Sequence, residues 1–223
     1  MRTKFKYFLS LPKSIYFNLK YFELKHAMKL PILISYNTWL KDTKGSIKIN
    51  KKDIKTGMIK IGFGDVGVFD AKKSRSIWEQ KGDSIVNFEG NAKIGHGSKI
   101  SVSKGSNLSF GENFIITAES SIICQNKIVF GDECLVSWEN LFMDSDFHDI
   151  YDDQGNIINK SEPIIVGDKV WFGCRNTVLK GSKIPNETVI GTGSVINKKF
   201  YVENILIAGV PGKIIMDNIN WVK

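Results

Sequence analysis

The sequence is poor in the residues that carry most metal and redox chemistry. Its 223 residues include only three cysteines, Cys124, Cys134 and Cys174, and three histidines, His26, His96 and His148. The cysteines are odd in number and lack CxxC spacing. That argues against a disulfide framework or a zinc site, and for small apolar fillers in a reducing compartment. No apolar run reaches about 18 residues, so no segment qualifies as a membrane-spanning helix. The start, MRTKFKYFLSLPKS, is basic and aromatic, but its apolar stretch FLSL is too short for a secretory leader and no small-residue cleavage site follows. The expectation is a cytoplasmic protein.

Acidic residues are scarce in one part of the chain only. Residues 1–60 hold 14 Lys/Arg against 3 Asp/Glu, whereas residues 61–223 hold 17 against 20. The net charge of +8 is therefore an N-terminal property. A nucleic-acid-binding domain carries its basic stripe on the folded unit, so nucleic acid is not the expected partner. A basic extension on a near-neutral unit suits a membrane surface or an anionic polymer, or is a merely solvated face.

What the chain does have is a period. An apolar residue recurs at every sixth position through Val166, Phe172, Val178, Ile184, Ile190 and Ile196. Upstream the same step links Phe110, Ile116 and Ile122, then Phe130, Val136 and Phe142, the two runs offset by a two-residue insertion at Lys127–Val129; Ile94 and Ile100 begin a looser one. Neither a helix nor simple strand alternation predicts a step of six. A solenoid does: each six-residue unit is a short strand and a turn, and three units close one triangular coil. The recurring aliphatic points into the axis, and glycine beside it (Gly167, Gly173, Gly191) suits a tight corner. The repeat covers about residues 85–143 and 164–200.

Two segments depart from it. Residues 144–163, DSDFHDIYDDQGNIINKSEP, are polar and read as a loop thrust out of the coil. Residues 12–31, bounded by Pro12 and Pro31, place Ile15, Leu19, Phe22 and Leu30 at helical spacing among Lys13, Lys20, Lys25 and Lys29. They read as a short basic amphipathic helix that either lies on an anionic membrane or caps the open end of the coil. The division is 1–60, basic extension; 61–200, β-helix domain; 201–223, C-terminal tail.

Of the histidines, His26 and His96 read as surface or packing residues. His148 lies on the projecting loop with Asp144 and Asp146 nearby. Acyl transfer to a hydroxyl needs a base of near-neutral pKa, which imidazole supplies, and a carboxylate such as Asp146 would fix its tautomer. Both aspartates also fit as turn formers, and Trp171 fits as a packing residue.

The step of six, followed in order by SWENLFMDSDFH, IIVGDKVWFG, VIGTGSVINK and AGVPGKII, resembles the hexapeptide-repeat, left-handed β-helix acyltransferases over about residues 90–216. LPKSIYFNLKYFELKHAMKLPILISYN is similar to the branch that O-acetylates bacterial capsular and other surface polysaccharides. The resemblance implies an all-β, left-handed parallel β-helix. It implies a homotrimer with acetyl-CoA between neighbouring coils, a carbohydrate acceptor, and no required metal. His148 matches the histidine that deprotonates the acceptor hydroxyl, and Trp171 the tryptophan at the acyl end. Gly173, Cys174, Gly191 and Thr192 would line the pantetheine path. Asn197, Lys198 and Lys213 would sit towards the nucleotide and its phosphates. The chain departs from the pattern at Met216, where many members carry a second basic residue, and at Phe172-Cys174. The zinc carbonic anhydrases on this scaffold need three histidine ligands per metal, which three scattered histidines do not supply. A small-molecule acceptor or a non-catalytic structural coil are the remaining alternatives.

Overall fold

The computed structural model describes residues 2–70 and 72–223. These form three sheets of nine, seven and six strands, in which each strand pairs with its equivalent one coil away. The first face holds Ile32–Ile34, Ile59–Ile61, Ala92–His96, Phe114–Ala118, Leu135–Val136, Trp171–Phe172, Val189–Ile190 and Leu206–Ala208. The second runs from Trp39–Thr43 to Val195–Ile196, and the third from Ser46–Ile49 to Lys183–Ile184. All pairings are parallel save the last, where Lys213–Met216 folds back on Leu206–Ala208.

Register aligns the interior. On the first face Ile34, Ile61, Ile94, Ile116, Val136, Phe172, Ile190 and Ile207 form one continuous buried stack. Each contributes roughly 1.5–3 kcal/mol on burial. Phenylalanines fill the axis: Phe88 and Phe110 stack at 5.1 Å, Phe110 and Phe130 at 5.9 Å, and Phe142 meets Phe172 edge-on at 5.1 Å. One corner turns through a column of left-handed residues, Asn113, Glu133, Lys169, Glu187 and Asn204, with φ between 53° and 57°. Non-glycine residues enter this region at a cost, so its recurrence shows that the coil dictates the backbone there.

The coil starts earlier than its period suggests. Ile32–Ile34, Trp39–Thr43 and Ser46–Ile49 already make one complete turn, so a boundary at residue 60 falls inside the coil. The excursion between Ile59–Ile61 and Ile77–Gln80 breaks the step of six and hides these turns from periodicity. Their lysines, among them Lys41, Lys44 and Lys48, lie on exposed positions of strands or corners.

The N-terminal helix also differs from expectation. Helix α1 spans Arg2–Tyr21 and passes through Pro12; a single further turn, α2, spans Leu24–Ala27. The proline does not start the helix, because contacts on both sides of it tie α1 to the first coil. Ser10 Oγ accepts the Tyr36 N–H at 3.0 Å, and Ser14 Oγ accepts the Ile34 N–H at 2.9 Å. Asn18 accepts from the Ile32 N–H at 3.2 Å and donates to the Ile32 carbonyl at 2.7 Å. These residues lie four apart, on one helical stripe. They complete the hydrogen bonds of an edge strand that has no coil beneath it. Phe17, one position before Asn18, meets Trp78 edge-on at 5.9 Å and plugs the axis. Asn18→Ala leaves the Ile32 groups unpaired and is expected to lower stability by about 1–3 kcal/mol, read by denaturant unfolding.

His96 is buried against the edge of Phe69, with ring centroids 6.3 Å apart. Neither ring nitrogen has a hydrogen-bond partner among the described residues. Burial, the largest influence, holds its pKa below the ordinary 6.5, against the opposing pull of Glu119 and Asp65. The folded protein therefore binds this proton less readily than the unfolded chain. The stability that neutral His96 contributes is complete above about pH 6.5 and is lost as pH falls through its depressed folded pKa. The melting temperature is expected to fall between pH 7.5 and pH 5.5, about one unit either side of the ordinary histidine pKa. The drop should be smaller in His96→Asn.

Candidate active site

Two corners of the coil carry the residues singled out by sequence. At the corner between the second and third faces the chain leaves Leu141–Met143 and returns at Ile164–Val166, and the loop between them bears His148. At the corner between the first and second faces lie Trp171 and the glycines that follow it.

The loop is anchored at its root by Asp144, which is fully buried. Its carboxylate accepts the backbone N–H groups of Gln125 at 2.7 Å, Asn126 at 2.9 Å and Lys127 at 2.8 Å. Those residues are the corner where two extra residues offset the repeat one coil below. One side chain therefore satisfies the insertion and fixes the point at which the loop departs. Further out, Asp152 accepts the N–H groups of Gln154 and Asn156, closing a small hairpin bridged by Tyr151 and Ile157.

Between root and tip the backbone of His148 is clamped. Asn159 Nδ2 donates to the His148 carbonyl at 2.8 Å and to Asp146 Oδ2 at 2.9 Å, while its Oδ1 accepts the Ile150 N–H at 2.7 Å. Lys180 Nζ, on the coil wall, bonds both the Asn159 carbonyl and the Asp146 carboxylate. The Lys180 contact, then Asn159, holds the Asp146 carboxyl below the usual carboxylate range. The structure therefore does not bring Asp146 to the imidazole, as the sequence reading expected. The carboxylate is taken by Lys180 and Asn159, and it ties the loop to the coil. The imidazole is exposed and makes no hydrogen bond among the described residues. Asp144, read from sequence as a neighbour of His148 or a turn former, is instead the buried anchor. The two-residue offset, placed by sequence at Lys127–Val129, falls at the Gln125-Asn126 corner between strands Ser121–Cys124 and Lys127–Phe130, and nothing local marks Asn159 or Lys180.

At the other corner the expected residues do converge. Trp171 is 37% exposed, and its indole N–H donates to Ser137 Oγ at 3.3 Å. The Trp221 ring lies 5.9 Å away, tied by its own N–H to the Lys169 carbonyl at 2.9 Å. Gly173, Cys174, Gly191 and Thr192 stack in one column. Cys174 Sγ lies 3.7 Å from Thr192 Oγ1. A Cβ on Gly173 would sit 2.8 Å from that oxygen, and one on Gly191 would sit 2.9 Å from Ala208 Cβ. Lys213 is exposed beside the column, on the strand paired with Leu206–Ala208. Asn197 and Lys198 are exposed at the other corner, the one from which the loop emerges, with Lys198 Nζ 5.2 Å over Phe200. Cys124 and Cys134 are buried, and burial pushes both thiols well above their usual range, as inert packing residues require. Among the described residues no group of three His, Cys, Asp or Glu side chains is placed to hold a metal.

The chain is thus a strand-built coil with a polar loop at one corner and a small-residue column at another. No known family profile matches the chain. It is 30% identical over 116 residues to the galactoside O-acetyltransferase of Escherichia coli, a match covering 52% of this chain and 56% of that protein. It is 33% identical over 104 residues to the polysialic acid O-acetyltransferase of Neisseria meningitidis, covering 46% of this chain and 48% of that one. The chain thus spans about half the length of these curated relatives. Among solved structures, a galactoside acetyltransferase in complex with coenzyme A superposes with a TM-score of 0.50 at 26% identity, over 60% of this chain and 64% of that one. The homologues are O-acetyltransferases of the hexapeptide-repeat family, and the chain has their left-handed parallel β-helix fold.

Removing the buried anchor tests the loop's construction. Asp144→Ala strands three backbone donors and is expected to cost about 2–4 kcal/mol. Limited proteolysis should then cut within 144–163 faster than in the parent protein.

Proposed function

We propose that the protein is an acetyl-CoA-dependent O-acetyltransferase that acetylates a sugar hydroxyl of a bacterial surface or capsular polysaccharide, or of its precursor. One observation carries the reading: the only exposed histidine of the coil stands on a pinned loop, and a column of small residues beside an exposed tryptophan offers a track for a thin, extended thiol cofactor. The relatives named above act on galactosides and polysialic acid, which supports a carbohydrate acceptor. The structural neighbour solved with coenzyme A supports the donor.

In this reading His148 takes the proton of the acceptor hydroxyl as its oxygen attacks the thioester carbonyl carbon. The C–O bond forms, the tetrahedral intermediate collapses, the C–S bond breaks, and the imidazolium returns the proton to the departing sulfur. Asp146, Asn159 and Lys180 act as positioning residues that hold the His148 backbone. Trp171, Gly173, Cys174, Gly191 and Thr192 line the pantetheine arm, glycine allowing close backbone approach. Lys213, Lys198 and Asn197 lie towards the nucleotide and its phosphates.

The two corners belong to different edges of one prism, and a single chain cannot bring His148 to Trp171. A homotrimer packed side by side sets the loop corner of one copy against the column of the next, with acetyl-CoA between them. Acyl-CoA donors are held in the cytoplasm, where we place the reaction.

The test is release of CoA from acetyl-CoA in the presence of surface-polysaccharide fragments and simple sugars. Turnover by the parent protein should fall at least about a hundredfold in His148→Ala, the size of a general-base effect, with acetyl-CoA affinity retained. Equal release by both proteins removes His148 from the mechanism. Failure to bind acetyl-CoA returns the coil to a structural role.

A further inference from the structure

Helix α1 is amphipathic in the reverse of the usual sense. Its polar stripe, Ser10, Ser14 and Asn18, faces the protein because it completes the backbone hydrogen bonds of the first strand. Turning that stripe inward puts Phe5, Phe8, Leu9, Ile15, Tyr16 and Leu19 on the opposite face. All are exposed, Phe5 at 62%, Phe8 at 68% and Leu19 at 51%. Leu24 and Met28, just past the end of α1, are also exposed, at 67% and 72%. A capping helix needs none of this: its cap is made by the serines, the asparagine and Phe17.

The rim of that surface is cationic. Lys6, Lys13 and Lys20 recur every seven residues along one edge of the helix, and Lys25 and Lys29 follow. Residues 1–30 hold seven Lys/Arg and one acid, Glu23. Of these lysines Lys13 is committed to the fold, donating to the Tyr36 and Thr38 carbonyls. Lys20, Lys25 and Lys29 are exposed and hold no carboxylate among the described residues.

An occupant must therefore accept a row of aromatic and aliphatic side chains and present negative charge along their edge. An anionic bilayer surface does both: the side chains enter the boundary between headgroups and acyl chains, and lysine stems extend their ammonium groups to the phosphates. Among the described residues no helix is long and apolar enough to cross a membrane, and a contact of this kind lies on the surface. We propose that the outer face of α1 docks the protein on an anionic phospholipid surface, with the coil standing away from it. The helix closes the end of the coil, so side-by-side packing of copies leaves this face free and points every copy's helix the same way. The inference does not rest on the transferase reading.

The experiment is co-sedimentation with vesicles. The full chain should sediment with phosphatidylethanolamine vesicles containing phosphatidylglycerol, be released by salt, and stay in solution with phosphatidylcholine alone. The double variant Phe8→Ser/Leu19→Ser should bind at least about tenfold more weakly, with an unchanged circular dichroism spectrum and melting temperature. Both side chains are outward, so refolding around them is not required. Absence of sedimentation by the parent chain overturns the proposal, as does undiminished sedimentation of the variant. It is also overturned if velocity sedimentation shows a larger assembly of the parent chain that the variant dissolves, with no vesicle binding by either, since the face then serves a second copy. None of these readouts depends on catalysis, so their failure is distinct from failure of the acetyltransferase reading.

Discussion

The hydrogen bonds of a parallel coil run along its axis, from each turn to the next, and this one constraint shapes the molecule. Every interior coil is satisfied above and below, but the terminal coils are not. An unpaired buried backbone group costs about 1–3 kcal/mol, so each end needs a device. At the start it is α1, whose serines and asparagine stand in for a missing strand. At the finish the chain reverses into Lys213–Met216 and pairs with the last strand of the first face. It then runs back along the coil, so that Trp221 reaches the Lys169 carbonyl and Lys223 the Asn113 carbonyl. The polar inner stripe of α1, and hence its apolar outer face, follows from the needs of one edge strand.

The same constraint governs where the coil is interrupted. An insertion at a corner leaves backbone donors unpaired unless something enters to meet them. Gln125-Asn126 is such an insertion, and the side chain that meets it comes from the next coil, at the first residue of the long loop. Support for the loop and repair of the irregularity are thus one interaction. Asn159 and Lys180 continue the arrangement outward, so a loop without regular strands is fixed at its root, at the residue that carries the imidazole, and on the coil wall.

The coil was legible because its core is monotonous. A step of six survives from Val166 to Ile196 with no insertion, and every residue in that series is buried. The first coil is hidden in the sequence because the excursion after Ile61 resets the count, and because lysines on its outward positions imitate a charged extension. The ends of α1 differ from the sequence expectation for a related reason. Proline is a good boundary signal when local propensity decides, but here tertiary hydrogen bonds from Ser10 and Ser14 override it. At the candidate site, His148 and Trp171 were visible as residue types in distinctive surroundings. The partners of Asp146 were not, because Lys180 lies on the coil wall beyond the loop, Asn159 sits at the loop's far side, and nothing in their immediate sequence marks them.

That reassignment of Asp146 matters for how a base on this loop would work. An imidazole that accepts a proton is most effective when its second nitrogen is held by an acceptor that fixes the tautomer and stabilises the cation. Of the carboxylates near it in sequence, Asp144 is spent on three backbone donors and Asp146 on Lys180 and Asn159, while the adjacent Asp149 is exposed and accepts from the Tyr151 hydroxyl at 3.5 Å. Pulling Asp146 away to serve the imidazole would free Lys180 and loosen the clamp that positions His148, so one carboxylate cannot do both at full strength. A site assembled from two corners removes the conflict. In the side-by-side assembly proposed above, the orienting acceptor would come from the neighbouring copy while Asp146 stays with the loop.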